Sequence, residues 1–254
     1  MPLSDRITAD AAGSTEARAA GALTQSFDIV GARFAERIRE VRERIAQAVA
    51  RGGIGQAVTL VAVTKTHGPE AVEAAWAAGI ADVGENRVQE AESKMSRVQV
   101  PVRWHLIGHL QRNKAKAATQ FSLVHSVDSL RLAEALNAAS GERGVVLDVL
   151  VQVNVSGEPS KSGFATTDIS LVAAALHDLT HLRVCGAMTM APYDAAEPVL
   201  RQVFADTRRV RDDLRVAGHP AAFLSMGMSG DFEIAVEEGA THVRLGSILF
   251  GSRP

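Results

Sequence analysis

The chain has 254 residues and a mass of 26.9 kDa, enough for one large core, and nothing in its composition forces a split into two domains. Charged residues make up 22% and hydrophobic ones 46%, with a formal net charge of -2. That balance excludes a disordered chain and argues against nucleic acid or a membrane as partner, leaving a small ligand as the expectation. Cys185 is the sole cysteine, which excludes an intramolecular disulfide and a cysteine-rich metal site. No apolar run reaches membrane-spanning length, so a reducing, cytoplasmic setting is expected.

Residues 1–22 carry neither a basic start with an apolar h-region nor a clear periodicity, and read as a mobile polar tail, not a secretion signal. The folded domain is expected over 23–254. From Thr24 to Arg51, Phe27, Val30, Phe34, Ile38, Val41, Ile45 and Val49 recur three or four apart with charges between them, the pattern of a long amphipathic helix. The glycine-rich RGGIGQA that follows resembles a dinucleotide loop, but it comes after a helix and before a strand, the reverse of that motif's order, and is a connector.

Eight short apolar runs come next: AVTLVAVT, IADVG, RWHLIG, FSLVHSV, VLDVLVQVNV, LRVCGAMTM, AFLSMGM and THVRLGS. Helical segments such as GPEAVEAAWAAG, SLRLAEALNAAS, TTDISLVAAALHDL and AEPVLRQVFADTRRVRDDLRVAG lie between them, several closed by glycine. Between the second and third runs, ENRVQEAESKMSRV must be the helix and QVPV a turn. Eight strand–helix repeats in this length predict a single (β/α)8 TIM-type barrel with an extra N-terminal helix; a doubly wound open sheet is the alternative.

In a barrel, function gathers where strands end. Lys65 closes the first strand run, where an ammonium group is costly unless something uses it. The loops after strands seven and eight, LSMGMSGDFEIAVEEGA and RLGSILFG, offer Gly227 and Gly230 for a tight turn, Ser229 or Asp231 as a helix cap, and Gly246 with Ser247 for close backbone approach and a hydroxyl. These loops can hold a phosphate; plain turn chemistry is the competing reading. Arg244 shares a strand face with Gly246 and would point deeper into the same cavity, needing an acceptor that a ligand could provide, or a salt bridge at the barrel mouth. Only about one free lysine in 2,500 carries a neutral amine at pH 7. Desolvation and a nearby Arg244 would raise that fraction and suit Lys65 to imine formation with an aldehyde. Pairing of Lys65 with Glu85 or Glu70 is the structural alternative.

Other features carry less. His105 and His109 lie four apart on a strand and turn, without the glutamate of a helical zinc motif. Arg112, Lys114 and Lys116 of QRNKAK read as a solvated helix face, and Cys185 as a small core residue.

Taken together, LVAVTKTHGPE, VGENRVQEAESK, WHLIGHLQRNK, HSVDSLRLAEAL, VQVNVSGEPSKSGF, GAMTMAP and LSMGMSGDFEIAVEEGATHVRLGSILFG resemble, in order and spacing from about Ala57 to Gly251, the pyridoxal phosphate homeostasis proteins, relatives of the N-terminal barrel of alanine racemase. The resemblance implies a fold-type III barrel for pyridoxal 5′-phosphate (PLP), with Lys65 holding the cofactor as a covalent imine. It implies Ser229, Gly246 and Ser247 at the phosphate, with Ser247 where the family often has threonine. Arg244 would lie beside the pyridine nitrogen, Asn86 would border the cofactor, and Met188 and Met226 would line the ring pocket. The implied role is a non-catalytic, monomeric carrier in vitamin B6 and amino-acid homeostasis, with apo PLP-dependent enzymes as recipients. An amino-acid racemase or lyase is the alternative. Against it, the related racemases bring a tyrosine from a second domain; the chain ends at Pro254, shortly after strand eight, and Tyr193, the single tyrosine, is a poor substitute.

Overall fold

The β-branched run Thr59–Val63 has no side suited to water, and in the computed structural model of the chain, which describes residues 31–158 and 162–251, it forms β1 of a closed sheet buried on both faces. The remaining strands are β2 Asp82–Glu85, β3 Arg103–Leu106, β4 Leu123–Val127, β5 Leu147–Gln152, β6 Leu182–Met188, β7 Phe223–Ser225 and β8 His242–Leu245. They pair in chain order, all parallel, and β8 returns to β1 with Val61 opposite Arg244. The barrel expectation holds and the open sheet is set aside.

Helices alternate with the strands as a parallel sheet requires. They are α1 Ala32–Gly52 ahead of the barrel, α2 Pro69–Ala77, α3 Val88–Met95, α4 Ala115–Ala118, α5 Leu130–Arg143, α6 Ile169–His177, α7 Glu197–Val216, α8 Phe232–Glu237 and α9 Ser247–Phe250. The predicted helix between the second and third strands is α3, with the residues of QVPV as loop. Between β3 and β4 the connection is slight: a 3-10 turn, Arg112–Lys114, leads into four-residue α4, with Arg112 and Lys116 exposed as a solvated basic face requires.

Because strand side chains alternate, the sheet sorts its residues into two layers. Leu60, Ala62, Val83, Leu106, Val124, Val149, Val184, Leu224, Val243 and Leu245 face the helices in the main core, while Leu123, Leu150, Cys185 and Met188 cluster inside the barrel. Burial pushes the Cys185 thiol up to about 11, so it stays protonated, as a core residue would.

The predicted amphipathic stripe is realised in α1, where Phe34, Ile38, Val41, Ile45 and Ala48 are all buried. Its polar side reaches α8 through Arg44 to Glu233 at 2.6 Å and Arg51 to Glu237 at 2.6 Å. The expectations for the 1–22 tail, Phe27 and Val30 lie outside the described residues. Truncating Ile38 to Ala is expected to lower unfolding free energy by roughly 2–4 kcal/mol in urea titration, because a fully packed side chain leaves a cavity. Arg44→Ala, which removes a partly exposed ion pair, is expected to cost about 1 kcal/mol or less.

Candidate functional site

Beyond β1 the chain turns, and Lys65 follows Val61 and Val63 on the inward phase of the strand, half-buried at the mouth. The residues on either side of it are clamped. Thr64 Oγ1 donates to Glu85 Oε1 at 2.5 Å, and the Lys94 ammonium donates to Glu85 Oε1 at 2.6 Å, Glu90 Oε1 at 3.0 Å and the Thr64 carbonyl at 2.8 Å. The Thr66 amide donates to Glu90 Oε1 at 2.6 Å. Thr66 takes φ +70°, a left-handed conformation that is strained for a β-branched residue and costs on the order of 1–3 kcal/mol. Strain of this kind held at a turn is the pattern of a functional loop.

The clamp is itself an electrostatic unit. Glu85 and Lys94 are 0% and 3% exposed. Burial pushes the Glu85 carboxyl up despite its hydrogen bonds to Lys94 and Thr64, and among the described residues its Oε2 is buried without a hydrogen-bond partner. Burial also opposes ionisation of Glu90, but Lys94 and the Thr66 amide outweigh it and hold that carboxyl below its usual range. The sequence offered Glu85 as a partner for Lys65; the structure gives Glu85 to Lys94, because Thr64 and Glu85 face the helix side of the sheet and Lys65 has the opposite phase.

The two presumptive phosphate loops meet. The Arg244 amide donates to the Gly227 carbonyl at 3.0 Å, and the Ile248 amide donates to Ser229 Oγ at 3.4 Å. Gly227, at φ +94°, must be glycine, since a Cβ would stand 2.7 Å from that of Ala235. Gly246 is different. Its φ is -121°, and a Cβ there would meet nothing nearer than Val63 at 3.5 Å, an ordinary contact. The protein's own packing does not require glycine at this point, which leaves a cradle beside exposed Ser247 and half-buried Ser229. Asp231 does not cap α8 through its side chain as the sequence suggested; its Oδ1 accepts the Met228 amide at 2.6 Å and so fixes the loop.

Arg244 lies one layer below Gly246 on the inward face of β8 and is 4% exposed. Burial lowers its guanidinium to about 10, with the charge of Asp231 acting in the other direction. The sequence expected a ligand or a salt bridge to satisfy it. The structure supplies neutral acceptors instead: Nη1 donates to Ser225 Oγ at 2.6 Å and Nη2 to the Thr189 carbonyl at 2.9 Å.

Asn86 is half-buried after β2, where Gly108 lets two loops cross, since a Cβ on Gly108 would be 2.4 Å from the Asn86 carbonyl. Met188 and Met226 are the two methionines expected at a ring pocket. Both are fully buried; Met188 is sealed among Leu123, Leu150 and Cys185, and Met226, next to inward Ser225, has the phase that turns it into the strand–helix core. Neither presents surface at the mouth.

Sequence reasoning missed two features. His67 packs against Phe250 with ring centroids 5.0 Å apart, linking the Lys65 turn to α9; burial, then Lys94, lower its pKa. Beneath Arg244 lies a polar layer of Asp82, His105, His125, Ser225 and His242, all buried. Its signal was available: each is a polar residue on the inward phase of a strand run. His105 and His109 do not act together, since His109 pairs with Asp128 at 3.0 Å on the surface. Among the described residues no group of three or more acidic, histidine or cysteine side chains is arranged to hold a metal ion.

Comparison with known proteins places the fold in a family. The family model described as alanine racemase, N-terminal domain, matches residues 31–254. The pyridoxal phosphate homeostasis protein of Pseudomonas aeruginosa is 43% identical over 87% of this chain and 96% of its own length. That of Aquifex aeolicus is 39% identical over 86% and 97%. The structure of PipY from Synechococcus elongatus with PLP bound is 35% identical, covers 86% of this chain and 100% of its own, and superposes with a TM-score of 0.76.

Two outcomes are expected from the buried charges. Lys94→Ala should destabilise the fold by roughly 3–5 kcal/mol in urea titration by stranding Glu85, and the double change Lys94→Met with Glu85→Gln should recover much of that loss. His242 is lowered to about 4, chiefly by burial. Its folded value is below its unfolded 6.5, so its contribution is complete above pH 6.5 and is lost as pH falls toward 4. The loss should be on the order of 3 kcal/mol, and His242→Gln should flatten that part of the stability profile.

Proposed function

This chain belongs to the alanine racemase N-terminal domain family, and from that premise we propose that it binds PLP at the barrel mouth as a non-catalytic pyridoxal phosphate homeostasis protein. The observation that carries the proposal is a buried cation, Arg244 on β8, followed two residues later by Gly246, a glycine that the protein's own packing does not require. Below the rim the cation suits an uncharged ring nitrogen, and at the rim the cradle suits a phosphate.

In this reading Ser229, Gly246 and Ser247 receive the phosphate through hydroxyls and backbone, Arg244 faces the pyridine nitrogen, and Asn86 borders the ring. Lys65 would hold the cofactor covalently through its amine, the aldehyde oxygen leaving as water. PLP, when bound, supplies that aldehyde and a ring able to withdraw electrons. An arginine beside the ring nitrogen opposes its protonation and so weakens that withdrawal, which favours holding the cofactor over using it. The names of the curated relatives support the same role. The reading extends to a cytoplasmic monomer that passes the cofactor to apo PLP-dependent enzymes.

Borohydride reduction of the PLP-loaded protein followed by peptide mass mapping is expected to find the cofactor on Lys65. Lys65→Ala should abolish the reducible adduct and its visible absorbance while the phosphate loops retain PLP more weakly. Labelling of another residue would refute the assignment of Lys65. Sustained α-deuterium exchange or product formation from single amino acids, above the rate of free PLP, would replace the carrier reading with that of a racemase or lyase.

A further inference from the structure

An unbroken series of hydrogen bonds, buried from Asp82 inward, crosses the barrel interior from exposed Arg103, and the function above uses only its last member. Arg103 donates to both oxygens of Asp82, at 2.7 and 2.5 Å. His105 Nε2 lies 2.9 Å from Asp82 Oδ1, His105 Nδ1 lies 2.9 Å from His125 Nε2, and His125 Nδ1 lies 2.7 Å from Ser225 Oγ. Ser225 Oγ accepts Nη1 of Arg244 at 2.6 Å. The series starts at the first residues of β2 and β3 and ends beneath the cradle, drawing two side chains from β3 and one each from β2, β4, β7 and β8.

Its polarity follows from the chemistry of its ends. Arginine has no lone pair to offer, so Ser225 must present one and place its own proton elsewhere; His125 Nδ1 is the acceptor in reach. His125 is fully buried, and burial, with the charge of Arg244 behind it, holds the imidazole neutral. A neutral ring that accepts at Nδ1 carries its hydrogen on Nε2 and donates to His105 Nδ1. His105 then donates from Nε2 to Asp82, whose carboxylate is held at about 2: burial opposes ionisation, but His105 and Arg103 outweigh it. Each side chain from Ser225 to His105 donates once and accepts once, and every donor points toward Asp82. Such a chain has one low-energy orientation, set by its ionised end.

We propose that Asp82, His105, His125 and Ser225 are positioning residues that fix the Arg244 guanidinium in one orientation beneath the cofactor cradle. Asp82 acts from the far end: by accepting from His105 it dictates both tautomers and presents the Ser225 lone pair to Arg244. The Thr189 carbonyl holds the other arm of the fork, so the guanidinium plane is determined by two contacts. The consequence for the cofactor rests on the reading of Arg244 given above, while the effect on Arg244 itself does not.

The test separates the two. Nitrogen NMR of the full chain without cofactor should show hindered rotation of the Arg244 guanidinium, released in Ser225→Ala and restored in Ser225→Thr, which keeps the hydroxyl. Asp82→Asn should move the His125 proton between ring nitrogens; if that variant does not fold, the Ser225 pair decides. In the PLP-loaded protein, Ser225→Ala should retain the cofactor about tenfold more weakly and shift its visible absorbance, with borohydride labelling of Lys65 intact. Arg244 signals that are the same in Ser225→Ala as in the wild type, with circular dichroism showing both folded, would overturn the proposal. If the wild type takes up no PLP, the functional reading fails, and the guanidinium measurement decides the relay alone.

Discussion

What a closed parallel barrel imposes on this chain is that every second strand residue points into a space walled off from water. A polar group placed there must find its partners within the protein or within a ligand. The lower part of the interior meets this demand internally, through the series from Arg103 to Arg244. At the upper rim Gly246 contributes no side chain, although a Cβ there would make only ordinary contact with Val63.

The sheet's other face solves a second problem. A lysine at a strand end is mobile unless its backbone is held, and here the holding groups are Thr64, Glu85, Glu90 and Lys94, packed between sheet and α3. They act on the residues before and after Lys65 and impose the left-handed geometry of Thr66. A buried ion pair of this kind adds little stability over apolar packing, so its place beside a strained turn is better understood as shaping that turn.

The barrel was legible because its signal is local and repeated. Alternation of β-branched runs with amphipathic segments survives in the sequence as pattern, and parallel pairing in chain order follows from short right-handed connections. Lys65, Arg244 and Gly246 were legible as residue types out of keeping with their strands. The partners of those residues were not. That Glu85 belongs to Lys94 on the next helix, and Arg244 to Ser225 and Thr189 on other strands and loops, depends on how the elements pack against one another, which pattern does not encode. Met226 shows the same limit on a smaller scale: its motif placed it near the site, but the phase of β7 turns it into the core.

By itself the sequence determined the architecture and the positions of Lys65 and of the glycine-bearing loops after β7 and β8 at the strand ends, because these follow from periodicity and from local backbone requirements. Only the tertiary structure decided which charged groups satisfy one another. It alone revealed that histidines from two strands, with an aspartate and a serine, join into a single hydrogen-bonded series. The physical reason is distance: hydrogen bonds form over about 3 Å, and only closure of the sheet brings together side chains as far apart along the chain as Asp82, His125 and Arg244.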